Sequence, residues 1–235
     1  MSGREKLLDR RRKIRGAIQD AAIREFAENG LVGASTQAIA MRAGLSKPQL
    51  HYYISSKDDL YEEVLLFIMD EWSRLFALSS MSGHPRAVIR EYVSRKIAYS
   101  CAHPDTVRVF SNEVARGAPV LRKYWSRSRE SALKAAAIIQ QWIDDGLIRK
   151  VDPMLFQFHL WATTQHYADY EAQVRFMLDM DEGADIDQER IVDEVTAMFL
   201  HHCGLAPEMP EERDRANSPL PVEHPAGGID RNARI

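Results

Sequence analysis

The stretch Lys47-Pro48-Gln49-Leu50-His51-Tyr52-Tyr53 gathers an ammonium, a carboxamide, an imidazole and two phenols around one apolar side chain. That set suits a nucleic acid, with cations for phosphate and carboxamide or phenol for base edges. Lys47, Gln49 and Tyr52 are the candidates for base-edge contact. Thr36, Tyr53, Lys57 and the basic arm at 11–15 are candidates for phosphate contact. For Tyr53 the alternative is a ring packed against the first helix. Ser46 can cap the helix that carries this set, and Pro48 falls in its first turn, where a missing N–H costs little. Both join the candidate surface, because the free N–H groups of a helix start favour a nearby phosphate. His51 projects outward with Lys47, Gln49 and Tyr52, while Leu50 turns inward.

These residues need helices to hold them. Ile14, Ile18, Ala22 and Phe26 recur every four residues, which predicts an amphipathic helix stopped by Asn29-Gly30. Ser35-Thr36 opens a short second helix through Ile39 and Ala43. Gly44-Leu45-Ser46 is a turn, where a small residue is expected because the two helices cross closely. The third helix follows, and together these form a helix-turn-helix. Ser56-Lys57-Asp58-Asp59 resembles a capping box and starts a long fourth helix lined by Leu60, Val64, Ile68, Trp72 and Phe76. Helices are expected again from Pro85 to Cys101 and from Thr106 to Ala115. Two more run from Leu121 to Asp145 and from Pro153 at least through Tyr170. A last one contains Ile191, Val195 and Phe199. No alternating strand pattern occurs, so the fold is expected to be all-α with about nine helices. The expected divisions are a DNA-facing head at 1–56, a helical bundle at 57–204 and a proline-rich disordered tail at 205–235.

Charge follows the same division. Residues 1–60 carry 11 Lys/Arg against 7 Asp/Glu, although the whole chain of 235 residues has a net charge of -3. A basic head on an acidic body suggests that only the head meets a polyanion. No apolar run reaches the roughly 18 residues a membrane span needs, and no secretory leader is evident at the start. Cys101 and Cys203 make no disulfide framework. The expectation is a cytoplasmic protein without membrane partner or cofactor.

Over roughly fifty residues the head resembles the DNA-binding domain of the TetR family. Ser35-Thr36, Ile39-Ala40, Ala43-Gly44-Leu45-Ser46-Lys47, Leu50-His51-Tyr52-Tyr53-Ile54 and Ser56-Lys57-Asp58-Asp59-Leu60 carry the likeness. The resemblance implies a homodimer that binds double-stranded DNA at a near-palindromic operator, with a C-terminal regulatory domain and no enzymatic activity. Dimerisation through the last two long helices, around Met154 to Tyr170 and Ile191 to Leu200, is implied in the same way. Two positions depart from the pattern: His51 stands where the family usually has a phosphate-touching Tyr, and Ile54 where it has Phe. Lys57 matches a lysine that commonly touches the DNA backbone.

The body is similar to the pyrimidine-responsive branch of that family at Leu160-Trp161-Ala162-Thr163-Thr164-Gln165-His166-Tyr167, at Phe110-Ser111-Asn112-Glu113 and at Val151-Asp152-Pro153. This implies a planar effector such as uracil or thymine. Trp161 and Gln165 share a helix face, so a ring can stack on the indole while the carboxamide offers both donor and acceptor. Glu113 is expected to accept an imide N–H, with Phe110 and Tyr167 as further pocket residues. The competing assignment for this Trp/Tyr-rich helix is core or dimer interface. His159, His166 and Asp169, or His201-His202-Cys203, lack the ligand count of a closed zinc site. No Gly-rich phosphate loop or nucleophile elbow supports an enzyme. An architectural DNA-binding protein without effector remains the alternative from another class.

Overall fold

The computed structural model describes residues 3–206 other than 182, so most of the expected tail lies outside the described residues. The first helix, α1, spans Gly3–Gly33 with a break at Gly30, whose φ of 63° and ψ of 179° are not helical. Regular helix therefore stops at the Asn29-Gly30 signal and one short turn follows. The basic arm is the exposed beginning of α1. Next come α2 (Thr36–Arg42) and α3 (Lys47–Tyr53). The long α4 covers Lys57–Leu75.

Gly44, between α2 and α3, adopts φ +69°, and a Cβ built there would meet nothing within 4 Å. The turn therefore selects glycine for its left-handed dihedral, not for a close crossing as the sequence suggested. Ala40, in α2, is fully buried.

The remaining helices are α5 (Pro85–Ala102), α6 (Pro104–Ala115), α7 (Trp125–Asp144), α8 (Pro153–Asp169), α9 (Glu171–Met177) and α10 (Gln188–His202). Ten α-helices and no strand occur among the described residues, against about nine helices expected. Two boundaries moved. Leu121–Tyr124 forms a 3-10 turn before α7, after Gly117 and Ala118 both take positive φ. Tyr170 leaves helical dihedrals, with φ −117° and ψ 30°, and divides α8 from α9.

Two apolar cores hold these helices. The first joins Ile18, Ala22 and Phe26 of α1 to Ile39, Leu50, Leu60, Val64 and Ile68, and continues into Val109 of α6 and Leu121. The second centres on Ile89, Val93 and Ile97 of α5, against Ile139, Phe156, Leu160, Val195 and Phe199. Burying each such side chain stabilises the fold by about 1.5–3 kcal/mol. α5 packs on both α8 and α10 and is the axis of the body. No described helix is long and apolar enough to cross a membrane.

Candidate DNA-reading surface and effector cavity

The third helix is only seven residues long, so its ends decide whether it forms. Ser46 Oγ accepts from the Gln49 N–H at 3.4 Å, while Gln49 Oε1 accepts from the Ser46 N–H at 2.8 Å. This reciprocal capping box, with Pro48 in the first turn, fixes the N-terminus. It also commits one end of the Gln49 carboxamide, leaving its NH2 group for any outside acceptor.

Leu50 is fully buried, whereas Lys47, Pro48, Gln49 and His51 are exposed and Tyr52 is 72% exposed. The Tyr52 and Tyr53 rings meet edge to face at 5.2 Å. Tyr53 is half-buried and packs on the first core, consistent with the packed alternative for that ring. Thr36 is half-buried at the start of α2. Lys57, a candidate for phosphate, donates to the carbonyls of Ala34 (2.9 Å) and Val32 (3.3 Å). It thereby ties the start of α4 to the turn between α1 and α2. An ammonium has three donors, so one remains.

The body contains a cavity of about 660 Å3. Met69, Trp72, Ser73 and Phe76, at the far end of α4, form part of its wall. Of the residues chosen from sequence, Phe110, Trp161 and Gln165 line it, and Glu113 and Tyr167 do not. Glu113 is fully buried and its oxygens are occupied within the protein. Oε1 accepts from the N–H groups of Val120 (2.6 Å) and Leu121 (3.1 Å), and Oε2 accepts from the Tyr61 hydroxyl at 3.2 Å. That corrects the expected imide contact: this carboxylate joins α6 to α4 and to the following turn. Tyr167 packs against the second core.

Sequence reading missed Lys96, Tyr92, Trp72 and Gln157, all of which line the cavity. The Lys96 ammonium lies 3.6 Å from the centroid of the Trp72 ring and 4.5 Å from that of Phe76. Burial pushes its pKa down to about 7, opposed by the field of Asp169. Burial raises the Tyr92 phenol well above its ordinary value, with a smaller opposing effect from its hydrogen bond with Trp161. The signal for Lys96 was present: it is a lysine on the same stripe as Ile89, Tyr92 and Val93, which a solvated lysine avoids.

Among the described residues no group of three His, Cys, Asp or Glu is placed to hold a metal. His166 is exposed and stacks on Tyr170, centroids 4.9 Å apart.

Residues 18–64 match the family model described as bacterial regulatory proteins, tetR family, and residues 65–206 match the YcdC-like protein, C-terminal region. The HTH-type transcriptional regulator RutR of Escherichia coli K12 is 36% identical over 159 residues, which is 67% of this chain and 75% of that one. The HTH-type transcriptional repressor SCO4008 of Streptomyces coelicolor is 30% identical over 122 residues, covering 52% of this chain and 60% of that one. Among solved structures, the ketosteroid transcriptional regulator KstR2 of Mycobacterium tuberculosis superposes with a TM-score of 0.65 at 20% identity, over 83% of this chain and 95% of that one. AibR in complex with isovaleryl coenzyme A and operator DNA gives a TM-score of 0.63 at 19% identity, over 84% of this chain and all of that one. RutR, SCO4008 and KstR2 are named as transcriptional regulators or repressors, and with both halves matched the chain belongs to the TetR family of bacterial regulatory proteins.

Proposed function

We propose that this chain is a homodimeric repressor that leaves its operator when a small planar effector of the pyrimidine type, such as uracil or thymine, enters the body. The observation that carries this is α4. Its first residue, Lys57, holds the turn that precedes the helix-turn-helix, and its last turns, with Trp72 and Phe76, wall the cavity. A displacement in the cavity therefore reaches the head through one continuous helix. In this reading residues 1–56 read DNA and residues 57–204 bind effector and dimerise. Lys47, Gln49 and Tyr52 address base edges, with Thr36, His51 and Lys57 on the phosphates. Phe110, Trp161 and Gln165 address the effector.

The pyrimidine class is supported by the likeness to RutR and by the pairing of the Trp161 indole with the Gln165 carboxamide on one cavity wall. Only a difference in effector affinity between DNA-competent and incompetent forms can drive release. A hundredfold weakening of the operator complex requires about 2.7 kcal/mol of coupling. The test is fluorescence anisotropy with duplexes from the gene's own upstream region, titrated with uracil and thymine. Saturable binding that effector reverses is expected. Failure to bind any such duplex at low salt would sink the regulator reading. Binding that no pyrimidine reverses would move it to another effector or to an architectural role.

A further inference from the structure

The cavity wall has an unusual charge for this molecule. The chain holds 34 Asp/Glu and a net charge of -3, yet among the described residues no carboxylate lines the cavity. Two lysines do, Lys96 and Lys134. Lys134 is exposed and paired with Glu130 at 2.8 Å. Lys96 is different: it is only 3% exposed, and no ion-pair partner lies within 4.0 Å of its ammonium among the described residues. The facing acid, Asp169, acts on it only at longer range and also lies in the fields of Arg108 and His166. A buried ammonium left to ring faces is incompletely compensated. Cation–π contact with Trp72, its centroid 3.6 Å from the ammonium, offsets part of the desolvation. Among the described residues only Asp169, whose Oδ1 is buried without a hydrogen-bond partner, acts on it from a distance, and an anion entering the cavity would add a direct partner.

We propose that, within the planar class, this site prefers a ring carrying a carboxylate or an equally delocalised negative charge over uncharged uracil and thymine, with that charge against Lys96 and the ring among Trp72, Phe76, Tyr92 and Trp161. This rests on the reading of the cavity as the effector site. Size agrees with it. A void of roughly 150 Å3 accommodates a bare benzene-sized ring, and this cavity has about 660 Å3, leaving room for a charged substituent. The remaining polar walls are neutral amides and hydroxyls, including Gln157, Gln165 and Ser111, which suit the uncharged edge of the ring. Charge-assisted hydrogen bonds are about twice as strong as neutral ones, so Lys96 sets the preference.

The test uses the full-length wild-type protein and Trp fluorescence, confirmed by calorimetry. Orotate is compared with its methyl ester and with uracil, and benzoate with benzamide. Each acid is expected to bind at least about tenfold more tightly than its uncharged counterpart. In Lys96→Met, with its fold checked by circular dichroism, that preference is expected to vanish. Should this variant not fold, the wild-type pairs decide alone. Acids that bind no better than the ester, uracil or benzamide overturn the proposal, as does a preference that survives in Lys96→Met. The two readings separate cleanly. Uracil binding as tightly as orotate sinks the charge inference and keeps the pyrimidine one. Preference for benzoate over benzamide, with no pyrimidine bound, does the reverse.

Discussion

Three lysines show how one side chain takes three roles by position. Lys47 is exposed at the first turn of α3. With Lys47 on a base edge in the proposed reading, its replacement by alanine is expected to cost about 1–3 kcal/mol in operator binding and to relax the preference at the base pair it meets, with melting temperature unchanged. Lys57 also holds two carbonyls. Lys57→Ala is therefore expected to cost about 1–2 kcal/mol in urea unfolding in addition to operator affinity. An unaltered unfolding midpoint would deny it the structural half of that role. Lys96 is buried, with its folded pKa near 7 against about 10.5 when unfolded. Below pH 7 both forms hold the proton and the burial cost is complete. Between pH 7 and 10.5 the unfolded chain holds more protons, so wild-type stability rises with pH. Lys96→Met is thus expected to stabilise the unliganded protein by of order 2 kcal/mol at pH 6, with the gain shrinking toward pH 10. A gain independent of pH would mean that the ammonium carries no such penalty. Lysine on an apolar stripe was the signal in the sequence. Periodicity marks it as misplaced and says nothing of what surrounds it.

Among the elements, the sequence was most informative where caps and breakers sit close together. Ser46 with Gln49, Ser56 with Asp59, and Gly44 each appear in the structure as local hydrogen bonds or a positive φ. Such features depend on a few neighbouring residues, so pattern alone reveals them. The break at Tyr170 has no glycine or proline to announce it, and the 3-10 turn at Leu121 depends on Glu113 accepting its N–H from another helix. The turn at Leu121 is settled by that contact between elements, and nothing in the structure explains the break at Tyr170, whose ring stacks on His166 one turn earlier. Glu113 was legible as a polar residue with a role, but its partners Tyr61 and Val120 lie 52 and 7 residues away, beyond what spacing encodes. The head offers a direct element-scale test. Gly44→Ala has open space but a left-handed dihedral, so it is expected to cost about 1–2 kcal/mol, and Gly44→Asn less. Ser46→Ala removes one arm of the capping box and is expected to cost about 1 kcal/mol, with operator affinity falling as α3 frays. Thermal melts of the three variants check the order; equal losses for Ala and Asn at position 44 would point to crowding instead.

At the scale of the whole molecule the question is how two heads are presented together. On α8, Leu155, Phe158 and Ala162 lie at i, i+3 and i+7, one side of the helix, and all are exposed, Leu155 by 50% and Phe158 by 46%. On α10, Met198 is 49% exposed. Apolar residues grouped along a helix face mark an interaction surface, and a two-fold interface uses the same patch on both copies. In the proposed reading, such pairing would set two recognition helices about 34–36 Å apart, one turn of duplex, as a near-palindromic operator requires. Phe158 is an unsuitable probe, since its ring lies 5.4 Å from that of Trp161 on the cavity wall. Leu155→Glu combined with Met198→Glu avoids that contact and places like charges across the axis. This double variant is expected to sediment as a monomer, to retain effector-dependent Trp fluorescence, and to lose about a hundredfold or more in affinity for the full operator but little for a half-site. A variant that remains dimeric in analytical ultracentrifugation would place the pairing surface elsewhere on the body. One that is monomeric yet binds the full operator at wild-type strength would show that pairing on the body does not set the spacing of the heads.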